Sequence, residues 1–210
     1  MTDSVPAASA SPASSALRSS DRFVAYVHQL CASTQARAAL RRGLGLPVQQ
    51  CTHLHRYLVP WLRDHDDPHQ GDVRRAHYAV ASLIAARPRS ARDTDPGRHT
   101  PGPWYERPNL GASLGQAVAQ GVMKENSAES ALHLMARQSS DAVHPYLPAL
   151  TRQLMAGGIP VDWAVLLEDL AWFNRNRDRI ATRWLESYFR TVTPTTNPAG
   201  PADPTEETTR

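Results

Sequence analysis

Between residues 21 and 191 the large apolar side chains recur every third or fourth position and almost nowhere every second. Phe23, Val27, Leu30 and Cys31 keep that spacing, as do Val73, His77, Val80, Leu83 and Ile84, then Leu110, Leu114 and Val118, and Leu147, Leu150 and Leu154. Trp163, Leu166, Leu167 and Leu170 follow it too, and so do Ile180, Trp184, Leu185 and Tyr188 or Phe189. A 3.6-residue period lays one apolar stripe along a helix, whereas a half-buried strand needs strict alternation and an enrichment in Val, Ile and Thr that hardly any of these segments shows. The chain therefore reads as all-α, a set of short helices that bury their stripes against one another.

Helix punctuation divides the chain. Ser20 or Asp21, Ser33 or Thr34, Asp72, Asn109, Asp141 and Asp162 stand where N-caps belong, and Asn126 with Glu129 resembles a capping box. Pro60 marks a kink within 53–62, Pro88 stops a helix, and Gly157-Gly158 closes another. Residues 88–108 are dense in Pro, Gly, Arg and Asp, which is loop chemistry. The organisation expected is a disordered tail at 1–20, a helical bundle at 21–87, a linker loop at 88–108, a second bundle at 109–191 and a disordered tail at 192–210. Both tails are built from small, polar and Pro residues that bury too little surface to order themselves.

Charge is carried in an unusual form. The chain has 23 Lys+Arg against 20 Asp+Glu, yet Lys124 is the single lysine, so almost every cation is a planar, forked guanidinium suited to phosphate or carboxylate. Arg37, Arg41 and Arg42 crowd one short helix in a stretch with no acid between Asp21 and Asp64. Arg37 and Arg41, four apart, share a face. Arg175, Arg177, Arg179 and Arg183 crowd the start of the last helix, where cations oppose the helix dipole and call for an anion. An internal partner such as Asp178 or Glu168 would meet part of that demand. Arg87, Arg89, Arg92, Arg98 and Arg107 would form a further basic element if the loop is ordered. If the short helix and the last helix lie on one side of the molecule, their two arginine clusters suit sequence-independent binding of a nucleic-acid backbone.

Catalytic patterns are missing. There is no Gly-x-Ser-x-Gly and no phosphate loop, and Gly111-x-x-x-Gly115 reads as close helix packing. Cys51-x-His53-x-His55 and His65-Asp66-Asp67-x-His69 gather ligand-type side chains without a recognised metal spacing. The expectation is a non-enzymatic protein with no metal and no cofactor. Two cysteines make no disulfide framework, no secretory leader opens the chain, and no apolar run reaches the ~20 residues of a bilayer span. A cytoplasmic protein without membrane contact is expected.

Several modest motifs, in order, carry a resemblance. Ala36-Arg37-Ala38-Ala39-Leu40-Arg41-Arg42-Gly43-Leu44-Gly45 is followed by Tyr57-x-x-Pro60-Trp61-Leu62, by Val161-Asp162-Trp163 with Leu166-Leu167, Asp169-Leu170 and Trp172, and by Arg183-Trp184 with Tyr188-Phe189-Arg190. From Phe23 to Arg190 the chain resembles the CasB family, the small subunit of the type I-E CRISPR Cascade surveillance complex. The resemblance implies a non-catalytic subunit that stabilises the R-loop by holding target and displaced DNA strands. The implied partners are CRISPR RNA, both DNA strands, other Cascade subunits and a second copy of itself placed head to tail. It also implies backbone contacts from Arg37, Arg41 and Arg42 in the first half and from Arg179 and Arg183 in the second. The chain departs from the family where arginines are usual, having Gly115-Gln116-Ala117 and Ser130-Ala131 instead. A helical adaptor making only protein contacts is the alternative. A helix-turn-helix regulator fits less well, because the arginine helix ends in Gly-Leu-Gly-Leu-Pro rather than opening a recognition helix.

Overall fold

The computed structural model describes residues 17–62, 70–93 and 103–193, and among them it contains helices and turns but no strand. The α-helices are α1 (Ser19–Leu30), α2 (Thr34–Arg41), α3 (His55–Leu58), α4 (Gln70–Ala86), α5 (Arg89–Asp93), α6 (Leu110–Ala119), α7 (Glu125–Arg137), α8 (Ser140–Val143), α9 (Leu147–Ala156), α10 (Trp163–Ala171) and α11 (Phe173–Val192). The all-α expectation holds.

Helix α4 is the axis of the molecule. Its Val80, Ala81, Leu83, Ile84 and Ala85 are buried, because α1, α2 and α10 pack around it. Phe23 of α1 meets the His77 ring edge-on at 4.5 Å. Helix α10 runs antiparallel to α4: Arg87, just past the end of α4, lies over the Trp163 ring, while Asn174, just past the end of α10, donates to Asp72 at the start of α4 at 2.9 Å. Helices from both sides of the 88–108 segment thus share one apolar core, which runs from Phe23 to Tyr188.

The tightest pairing joins α6 to α11. A Cβ on Gly111 would stand 1.8 Å from the Trp184 carbonyl oxygen, and one on Gly115 would stand 2.9 Å from that of Tyr188. The small residues at this spacing let two backbones approach, as the sequence suggests. Beneath that contact, Asn109 caps α6 through the Ala112 amide and donates to Ser187 on α11.

Several local expectations are corrected. Helix α1 begins at Ser19, inside the segment expected to be a tail, and its flanking residue Arg18 offers no side-chain cap. Ser20 and Asp21 are buried instead, with Ser20 donating to Glu168 and Asp21 accepting from Arg107. The Asn126/Glu129 capping box does not form, since α7 starts at Glu125 and Glu129 faces His133 one turn on. Residues 52–61 make a short α-turn between two 3₁₀ turns rather than one helix, because Pro60 cannot donate to the ladder. Ser33 and Asp162 do cap α2 and α10. Of the expected tails, residues 1–16 and 194–210 lie outside the described residues.

Candidate nucleic-acid interface

Helix α2 presents its arginines because its other face is committed. Ala36 and Leu40 are buried, so Arg41 and Arg42 project into solvent and Arg37 sits half-buried at the edge. Gly43 follows at a point where a side chain would collide with Leu54 and Ser82, which fixes this end of α2 against α4. Among the described residues, no ion pair ties Arg37, Arg41 or Arg42.

The arginines of the 87–107 segment divide by environment. Arg107 does not extend a basic surface. Its side chain is buried, gives Nε and Nη2 to Asp162 at 2.7 Å each, and gives Nη1 to Asp21 at 2.8 Å. Burial alone would lower its proton affinity, but the bonds and charges of Asp162 and Asp21 outweigh that and leave its pKa raised. Arg87 is buried as well and donates to the Ala91 carbonyl; burial, then the nearby Arg92 charge, pull its pKa down to about 10. Arg92 is 5% exposed and donates to the Arg87 carbonyl, while Arg89 stays exposed. Arg98 lies outside the described residues.

At the start of α11 the backbone departs from helical geometry at Asn176, with φ −127° and ψ 31°. Arg175, Arg177 and Arg179 around this kink are exposed; Arg175 lies over the Trp172 ring and Arg177 pairs with the neighbouring Asp178 in solvent. Arg183 is different. Its guanidinium pairs with Asp169, a carboxylate only 3% exposed that also accepts from Trp184 Nε1 at 2.7 Å. Burial pushes the Asp169 carboxyl upward, against the pull of Arg183 and Trp184. Spacing alone puts Asp169 on an exposed face or at a helix start, and offers Asp178 and Glu168 as the internal partners of this cluster. Asp169 in fact takes Arg183, while Glu168 is engaged by Arg18 and Ser20.

The two clusters lie at separate places along α4. Gly43 abuts Ser82 whereas Asn174 binds Asp72, so Arg41–Arg42 and Arg175 are offset by roughly 15 Å along that helix. Arg89 and Arg92, absent from the arginines singled out above as backbone contacts, line one pocket with Arg37. A signal for them exists in the sequence: three positions apart, they share a face once 89–93 is helical.

Among the described residues no three His, Cys, Asp or Glu side chains stand together to hold a metal. Cys51 is buried with Sγ near the Gly43 and Leu46 carbonyls, and His55 Nδ1 bonds the Cys51 carbonyl. The His65-Asp66-Asp67-x-His69 cluster lies outside the described residues. Among the described residues no helix is long and apolar enough to cross a membrane.

Comparison with known proteins decides the family. A family model described as CRISPR-associated protein Cse2 matches residues 36–189, well over half of the chain. The chain belongs to the Cse2 family. Among solved structures, a chain of a CRISPR RNA-guided surveillance complex is 39% identical with a TM-score of 0.69, covering 83% of this chain and 93% of its own. The crystal structure of M. ruber CasB is 25% identical with a TM-score of 0.64, covering 84% of this chain and 95% of its own. A Cse2-family protein from Thermus thermophilus is 25% identical with a TM-score of 0.57, covering 81% of this chain and 97% of its own. No curated protein matches. The Cse2 chain described here is accordingly a small subunit of the type I-E Cascade, a component of a CRISPR RNA-guided surveillance complex.

Proposed function

We propose that this Cse2 protein is a non-catalytic, cytoplasmic subunit that holds nucleic-acid backbone within the complex and steadies the R-loop. It would bridge other Cascade subunits and a second copy of itself, with CRISPR RNA and the target and displaced DNA strands as its nucleic-acid partners. Exchanging a DNA duplex for an RNA–DNA heteroduplex is nearly balanced in free energy, so backbone contacts from a protein are enough to tip it.

The observation that carries this reading is the state of Arg41 and Arg42: exposed, without an ion pair among the described residues, and held by Gly43 on a rigid helix. Arg37 beside them and Arg175, Arg177 and Arg179 at the far end of α4 extend the set. Arg183 joins more weakly, because Asp169 already neutralises it. Guanidiniums arranged this way contact phosphates without reading bases, so affinity should fall steeply with salt and vary little with sequence.

Fluorescence anisotropy with labelled single-stranded DNA and RNA, titrated at several salt concentrations, tests the reading. A log–log salt slope of several units supports it. Absence of salt-dependent binding, by the free chain and within the reconstituted complex, would leave the adaptor reading. That reading draws on the partly exposed Trp172 and Phe189, which offer apolar surface to another protein.

A further inference from the structure

Helices α1, α2 and α5 line a concave pocket of about 180 Å³, of which the backbone-binding reading uses only Arg37. Arg37, Arg89 and Arg92 line it together with Thr34, and among the described residues Asp93 is the only acid in the lining. Three guanidiniums against one carboxylate give the described lining a net charge of about +2, gathered in one concavity. Like charges are normally kept apart, and burying one of them is costly unless something opposite arrives.

Arg92 makes the pocket a built feature. It is 5% exposed, held from behind by its bond to the Arg87 carbonyl, and flanked by Arg37 and Arg89. Burial, and the charges of Arg37 and Arg89, pull its pKa down, while Cys31 and Asp93 oppose them only in part. An anion brought into the pocket would relieve that crowding.

We propose that this pocket takes one phosphodiester of a bound strand, with Arg92 as its floor and Arg37 and Arg89 as its walls. This rests on the backbone-binding reading and gives it a specific foothold. The volume admits a phosphate group. Arg37 and Arg41, four residues apart on one face of α2, are separated by about 6 Å along the axis, close to one nucleotide of extended backbone. The strand continues from the pocket onto Arg41, and the pocket fixes where that track begins.

The test uses the full chain and a labelled 20-nucleotide single strand, with anisotropy read over a range of salt. Arg89→Ala, at an exposed position, should leave the far-ultraviolet circular dichroism and melting temperature of the wild type unchanged. It should weaken strand binding about 10-fold and flatten the salt slope by roughly 0.7 to 0.9, the share of one phosphate. Arg37→Ala should do the same, and the two together should lose less than the product of both, since they hold one group. Arg89→Lys should recover only part of the loss, a point charge replacing a fork.

If Arg89→Ala and Arg37→Ala bind as wild type while Arg41→Ala does not, the pocket proposal falls and the backbone-binding reading stands. If none of the three substitutions changes affinity or slope, both fall. A parallel arm adds inorganic phosphate at constant ionic strength. Phosphate that raises the melting temperature of the wild type but not of Arg89→Ala, while Arg89→Ala leaves strand affinity intact, would assign the pocket to free phosphate, and would overturn the strand.

Discussion

Arg107 and Arg41 bear the same guanidinium and have been given opposite surroundings. Arg107 sits between Asp21 and Asp162, ties the start of α1 to the N-cap of α10, and commits Nε, Nη1 and Nη2 to those two carboxylates. Arg41 stands exposed on α2 with no ion-pair partner among the described residues. Position within a basic-looking segment is thus a poor guide to use; the deciding variable is whether the fold brings a carboxylate within reach. Where it does, the arginine is a structural tie, and where it does not, the arginine is a potential phosphate contact.

The sharpest way to break this contrast is Arg107→Ala, which strands two buried carboxylates. A loss of about 3–5 kcal/mol in denaturant unfolding is expected, with the strand affinity of the remaining folded fraction unchanged. A large affinity loss with little unfolding would place Arg107 on the wrong side of the comparison. Arg41→Glu with Arg42→Glu is the mirror experiment: strand affinity should drop roughly 100-fold at low salt. Unfolding free energy should move by less than about 0.5 kcal/mol in the same variant.

Arg183 occupies the middle ground, being partly exposed but paired. Asp169→Asn should cost about 1–3 kcal/mol, since Asp169 is buried and holds both Arg183 and the Trp184 indole. It should also raise strand affinity slightly by releasing a cation, visible as a steeper salt slope. Loss of affinity in a folded Asp169→Asn protein would refute the pairing as the reason Arg183 contributes little.

Acid offers a gentler probe. Burial lowers the pKa of His77 and of His144 below 6.5, so the folded state keeps both imidazoles neutral while the unfolded chain takes up protons. Their contribution is fully present above about pH 6.5 and is lost as pH falls below it, so the melting temperature should decline from pH 7.5 to 5.5. Asp169, shifted upward by burial, acts in the opposite sense and over the lower carboxylate range. The smallest effect belongs to Arg177→Ala. Its pair with Asp178 is exposed, so stability should change by less than about 0.5 kcal/mol.

Much of the fold can be read from spacing. The stripes of α4, α6, α9 and α10 face inward as their periodicity requires, and Ser33, Asn109 and Asp162 cap as their position suggests. Asp162 also shows what spacing cannot reveal. Its cap role is local, involving amides two and three residues away, but its grip on Arg107 spans 55 positions of sequence. Asp169 escapes a reading by spacing for the same reason, as its partners lie on the next helix beyond a kink. Arg89 and Arg92 are visible as residues but not as a pair, because a five-residue helix inside a Pro-rich segment has too little periodicity to announce itself.

Helix α4 has 17 residues and so measures about 25 Å from end to end. The Arg92 pocket adjoins one extremity and the Asn174 contact the other. A single residue inserted near its middle would lengthen that spacer by only about 1.5 Å yet swing one terminus about 100° around the axis relative to the other. Evolution can therefore reshape either cationic end by substitution, while insertions and deletions in α4 are closed to it: the helix works as a gauge whose angular setting counts for more than its length.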